Sequence, residues 1–174
     1  TLKTARDGFD HCGIAHKQTD SKITLDQDEY VKKLKTVNTD AAADALLPLT
    51  AAQHDEYRSA LGGLSWLNQT RIDVLVYIAA LQRAASKPLV DHARRLNKVV
   101  KWCRRVRVCI TLTVLEGDLR LMIISDAAFR KEDTTQGLTL RGAIVGLQAR
   151  TAGPGGALGV IEFFSKRQRR VTRS

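Results

Sequence analysis

Asp126 follows the apolar run Leu121–Ile124 with only Ser125 between, and a carboxylate there is costly to bury unless something pairs with it. A carboxylate held rigidly by a strand is a hard oxygen ligand. Several of them converging can hold a divalent cation. An Asp after a strand also forms turns or caps helices, so residue type alone leaves its role open. His11, Cys12 and His16 could be imagined as zinc ligands, but no second pair at ligand spacing follows, and no zinc site is expected. Cys12, Cys103 and Cys109 form no even framework and no C-x-x-C pair. A reducing, intracellular setting is the expectation.

Charge supplies the second chemical signal. The 174 residues carry a net charge of +10, unevenly spread. Residues 1–60 hold 8 Lys/Arg against 10 Asp/Glu, a net of −2, and residues 61–174 hold 20 against 8, a net of +12. Such asymmetry suits a polyanionic partner, nucleic acid first and an anionic membrane surface second. A surplus of Lys and Arg that merely solvates the surface is the plainer alternative.

The elements that must position these groups read as α+β. The stretch "GFDHCGIAHKQTDSKITLDQDEYVKKL" suggests a hairpin turning at "QTDSK", then a short helix with Asp26 as N-cap, Glu29 three residues on, and Tyr30, Val31 and Leu34 on its apolar side. "KTVNTDAAADALLPLT" reads as a loop. Three helices follow over 54–104. Tyr57, Leu61, Leu64 and Leu67 mark the first, whose Gly62 and Gly63 would allow close approach of a neighbour. Asp73 is a candidate cap for the second, along Val74, Ile78 and Leu81. Pro88 is placed to open the third. In that helix Ala93, Leu96, Val100 and Cys103 follow one stripe, and Arg94, Lys98, Lys101 and Arg105 another. Such a basic stripe either meets phosphates or is a solvated face. After residue 105 the period changes, and "VRVCITLTV", "LRLMIISDAAF", "LTLRGAIVGLQA" and "LGVIEFFSK" read as four strands. The division is therefore 1–50, 51–105 and 106–174. No apolar run approaches a membrane span, the opening "TLKTARDGFD" lacks a signal peptide's apolar core, and the missing initiator Met suggests a piece of a longer polypeptide.

Four segments in order, "EYRSALGGLSWLNQTRIDV", "LQRAASKPLVDHARRLNKVVKW", "SDAAF" and "FFSKRQRRVTRS", resemble the copia-type retrotransposon Pol polyprotein from the end of the reverse transcriptase into the ribonuclease H domain. Ile72 stands where that family usually has Pro in the "QTRPD" stretch.

The resemblance implies a helical thumb/connection region followed by the first strands of a truncated, mixed ribonuclease H-like sheet. It implies a primer-grip-like role for Phe9, Gly13 and Ile14. Asp126 would be the first ribonuclease H carboxylate, a Mg²⁺ ligand in the complete parent enzyme. Asp118, Glu132, Asp133 and Glu162 fall outside the family's acidic positions. Its next acid lies just past Ser174, and the polymerase Asp pair lies before Thr1. The isolated chain is thus expected to hold Mg²⁺ weakly or not at all and to be catalytically inert. Expected partners are an RNA–DNA hybrid or template–primer duplex and the rest of the polyprotein, with no membrane. The expected phosphate-binding residues are Arg94, Lys98, Lys101, Arg105, Lys166, Arg167, Arg169 and Arg170. The expected location is a cytoplasmic particle or the nucleus. A decayed or domesticated fragment acting as a binding or interaction module is the alternative. Without the helix after Ser174, one sheet face with Leu121, Ile123, Ile144, Val145 and Phe163 is expected to lie uncovered.

Overall fold

A computed structural model of the chain describes residues 8–128, 140–153 and 155–167. Among them it is an α+β protein: four α-helices, a four-stranded antiparallel sheet and a separate three-stranded one. Two compact units divide the chain. The first takes Thr1–Lys17 and Thr24–Ile110, the second Gln18–Ile23 and Thr111–Ser174. No helix among the described residues is long and apolar enough to cross a membrane.

The first unit opens with β1 (Gly8–His11) and β2 (Ile14–Gln18), paired antiparallel with His11 opposite Ile14. The two-residue turn between them has positive φ at both Cys12 (51°) and Gly13 (77°). Positive φ at both central residues matches the right-handed twist of a hairpin, and Gly13 adopts it without strain. The expected single hairpin at "QTDSK" is thus two turns. The second, closed by Thr19 N–H to Lys22 O at 2.9 Å, leads into β3 (Lys22–Asp26).

α1 (Asp28–Lys33) has Gln27, not Asp26, at its N-cap position. Asp26 lies one residue earlier, where its carboxylate accepts from Asp28 N–H and from Lys17 Nζ, both at 3.3 Å. Gln27 is turned inward to accept from Thr70 Oγ1 at 2.7 Å and to donate to the Trp66 carbonyl at 3.3 Å.

Three longer helices build the core. α2 (Ala51–Trp66) begins at a capping box in which Thr50 and Gln53 satisfy each other's backbone N–H. α3 (Leu75–Arg83) follows two 3-10 turns, and Asp73 lies in the second of these rather than capping α3. α4 (Val90–Arg105) starts two residues after Pro88, so the proline precedes the helix instead of entering its first turn. Tyr57, Leu61, Leu64, Leu67, Val74, Ile78, Leu81, Ala93, Leu96, Val100 and Cys103 all pack into one buried cluster with Val31, Leu34 and Val37. The stretches expected as 1–50 and 51–105 therefore share one core. Gly63 lets α2 approach α1: a Cβ there would sit 2.8 Å from Leu34 Cδ2. Gly62 faces open space.

The first of the four expected strands, "VRVCITLTV", is shorter than its sequence pattern. β4 spans Ile110–Thr113 and belongs to the first sheet, in the order β1-β2-β3-β4, and not to the C-terminal sheet. Its neighbour Val114 donates N–H to the Ser21 carbonyl at 3.0 Å.

The second unit is built on β5 (Leu119–Ala128), β6 (Leu140–Ala149) and β7 (Gly159–Arg167), an antiparallel meander with an irregularity at Val145/Gly146. Register pairs Ile123 with Val145, Ile124 with Ile144, and Ile144 in turn with Phe163. The five apolar residues expected on one uncovered face are thus split between two. Leu121 and Ile123 are 59% and 62% exposed, while Ile144, Val145 and Phe163 are half-buried.

Candidate nucleic-acid interface

The helix α4 sorts its cations into two kinds. Arg94 is a structural clamp: its Nη2 donates to the carbonyls of Asp40 (2.9 Å), Ala41 (3.0 Å) and Ala43 (2.7 Å). A guanidinium spent on backbone oxygens is not presented to phosphate, so Arg94 leaves the expected stripe. Arg95 pairs with Asp91 one turn back at 2.7 Å. Arg104 donates to the Leu34 carbonyl, and Arg107 pairs with Asp28.

Lys98, Lys101 and Arg105 remain. All three are exposed, and none pairs with a described acid. Arg105 lies over the Trp102 ring, 5.2 Å from its centre. Spacings of three and four residues make Lys98, Lys101, Trp102 and Arg105 one contiguous patch on a helix. Sequence reasoning missed Trp102, though its place four residues after Lys98 and three before Arg105 was the available signal. Trp102 is 43% exposed.

Trp102 is held in place by residues from the turn before α3. Its Nε1–H donates to Asp73 Oδ2 at 3.1 Å. Arg71, 1% exposed, grips both Asp73 oxygens through Nε and Nη2 at 2.8 Å. Its Nη1 donates to the carbonyls of Cys103 (3.2 Å) and Val106 (2.9 Å). Terminal helix carbonyls lack intrahelical partners, and a cation at this end also suits the helix dipole. Burial disfavours the charged Asp73 carboxylate, yet the hydrogen bonds from Arg71 and Trp102 and the charge of Arg71 outweigh it. Its pKa therefore lies below the ordinary value.

Phe9, Gly13 and Ile14, expected to play a primer-grip-like role, sit on the first hairpin. Phe9 is exposed and stacks on His16, with ring centres 4.4 Å apart. Gly13 occupies the turn, and Ile14, half-buried, begins β2. Trp66 donates Nε1–H to the Cys12 carbonyl at 2.9 Å and so fixes the turn to the end of α2.

In the second unit Lys166 is exposed, with Nζ 5.0 Å from the centre of the Phe164 ring. Arg167 closes β7, and Arg169 and Arg170 lie outside the described residues.

Asp126 does not end its strand. β5 continues to Ala128, and Asp126 stands exposed opposite Gly142, capping no described helix. Asp118 precedes β5, Glu162 opposes Val145, and Glu132 and Asp133 lie outside the described residues. No group of three or more His, Cys, Asp or Glu converges among the described residues. Two-ion chemistry needs several converging carboxylates. The described acids form no such set, and no reaction step follows from them.

No protein-family model, curated protein or solved structure matches this chain.

Proposed function

We propose that the chain is a section of a retrotransposon reverse transcriptase/ribonuclease H polyprotein that holds the template–primer duplex and does no catalysis by itself. One observation carries the reading: Lys98, Lys101 and Arg105 stand together on the exposed face of α4, around a tethered Trp102, with no described acid pairing them. The ordered likeness of four sequence segments to copia-type Pol supplies the rest.

In this reading the ammonium groups of Lys98 and Lys101 and the guanidinium of Arg105 meet backbone phosphates. Phosphate contacts position a duplex and carry little base preference. The Arg71–Asp73 pair positions Trp102 and the last turn of α4, so that the cations are presented from a fixed frame. Asp126 would be one member of a carboxylate set completed elsewhere in the parent.

Binding to a fluorescent RNA–DNA hybrid, titrated with salt, tests the reading. Three phosphate contacts predict a loss of affinity of roughly 40-fold between 50 and 200 mM salt. Changing Lys98, Lys101 and Arg105 together to Glu should abolish binding, and unaltered binding would remove α4 as the interface. Incubation of the hybrid with the chain and Mg²⁺ or Mn²⁺ should yield no product. Cleavage that disappears in Asp126→Asn would overturn the inert assignment.

A further inference from the structure

The strand β5 carries its own complement along an open edge. It is the first strand in the order β5-β6-β7, so among the described residues only one of its edges is paired. Alternate residues of this ten-residue strand turn their N–H and C=O groups to the open side. An unpaired edge is a template for another strand unless Pro, Lys or a bulge blunts it. Leu119–Ala128 contains neither Pro nor Lys, and its backbone register with β6 is unbroken. Leu121, Ile123 and Ile124 are all more than half exposed.

The charges on this strand are symmetric about its middle. Arg120 lies three residues before Ile123 and Asp126 three after, and the strand has no other charged residue. In an antiparallel pairing of two copies centred on Ile123, each Arg120 stands opposite Asp126 of the second copy. Met122 then opposes Ile124, and Ile123 opposes itself. Directly opposed side chains of opposite charge stabilise such pairs, and like charges destabilise them. The neighbouring registers are worse. Centring on Met122 sets Asp126 against Asp118, and centring on Ile124 sets Arg120 against Ala128 and Asp126 against Met122.

Both charged groups have capacity to spare. No described residue bonds the Asp126 carboxylate. Arg120 uses Nε and Nη2 on Gln148 Oε1 (3.2 and 2.7 Å) and on the Ala152 carbonyl (2.9 Å). A guanidinium has five N–H donors, so its Nη1 hydrogens remain for a partner.

We propose that two copies of this chain associate through antiparallel pairing of β5 with β5, joining their three-stranded sheets into one continuous sheet. Arg120 and Asp126 select the register, and Asp126 serves as a self-recognition residue.

Sedimentation equilibrium of the full chain tests this. The wild type should show a monomer–dimer equilibrium. Asp126→Arg, a change at an exposed position, should raise the dissociation constant by roughly tenfold or more through two like-charge pairs. Mixing Asp126→Arg with Arg120→Asp should restore dimers as a heterodimer, because every opposed pair is then attractive. Arg120 also supports the fold through Gln148, so a second measurement avoids it. With Cys12→Ser and Cys109→Ser in place, Ile123→Cys should form a disulfide-linked dimer under mild oxidation, because opposed Cα atoms about 4.5–5.5 Å apart permit the bond. Leu119→Cys in the same background should form little. A wild type that stays monomeric at all accessible concentrations overturns the proposal. So does a dimer indifferent to Asp126→Arg, or the absence of the 123–123 crosslink.

Discussion

Arg71 and Asp73, two residues apart in sequence, meet through two hydrogen bonds of 2.8 Å, and Arg71 extends the pair onto the carbonyls of Cys103 and Val106. A buried guanidinium left without its carboxylate is strongly destabilising. Asp73 retains some exposure, so Asp73→Ala should lower unfolding free energy by about 2–3 kcal/mol in urea titrations. Trp102 fluorescence should shift with it, because the same substitution frees the indole N–H.

The same carboxylate makes stability depend on acid pH. Its folded pKa lies below the ordinary value, so its contribution is present above the unfolded value near 4 and is lost as pH falls through the lower folded one. Unfolding midpoints measured downward from pH 5 should fall more steeply for the wild type than for Asp73→Ala.

His92 sets a second window. Its Nδ1 accepts the Leu89 N–H at 2.9 Å in the first turn of α4, which requires the neutral ring, and burial lowers its pKa below 6.5. The unfolded chain gains the proton first, so this contribution is full above about pH 6.5 and declines as pH falls through the folded value. Melting curves at pH 7.5 and 5.5 should show the loss. His92→Gln, which keeps an acceptor that does not titrate, should flatten it.

Arg94 and Lys98 lie one turn apart on α4 but should respond oppositely to truncation. Arg94→Ala removes three hydrogen bonds to the 40–43 loop and should lower stability by about 1–3 kcal/mol with hybrid affinity nearly unchanged. Lys98→Ala should leave the melting temperature unchanged and reduce the salt slope of binding by about 1. Parallel anisotropy titrations and thermal melts read both.

The adjacent glycines of α2 make a controlled pair. Gly62→Ala fills open space and should stabilise by about 1 kcal/mol through helix propensity. Gly63→Ala gains the same propensity but drives its Cβ to 2.8 Å from the buried Leu34, and overpacking costs about 1–3 kcal/mol. Denaturant titration should rank Gly62→Ala above the wild type and Gly63→Ala below it.

Periodicity was the most legible signal in this chain. Every residue named in the three apolar stripes over 54–104 lies in the buried cluster, because helical spacing reports directly on which side faces the core, while Ala60 and Val37 join it without having been marked. Local chemistry was less legible. Asp26 and Asp73 both have cap-like positions in sequence, yet neither caps its helix: Asp26 accepts from Asp28 N–H and Lys17, and Asp73 accepts from Arg71 two residues before it and from the distant Trp102. The Cys12–Gly13 turn was hidden because only Gly13 advertises positive φ. The fate of β4 depended on long-range pairing, which alternation cannot specify. At the candidate interface, charge spacing marked the stripe, but it could not tell a guanidinium occupied by carbonyls, as in Arg94, from ammonium groups left to solvent, as in Lys98 and Lys101.

Both ends of α4 are tied to residues far away in sequence. At its start, Val90 and Asp91 donate N–H to the carbonyls of Leu47 (2.9 Å) and Ala45 (3.0 Å), and Arg94 holds the loop just before them. At its finish, Arg71 holds the last carbonyls. A rod clamped at both extremities is expected to resist fraying and rolling about its long axis. Its outward groups therefore keep a constant spacing, like marks on a ruler, and amide hydrogens along its length should be among the slowest in the chain to exchange with deuterated water.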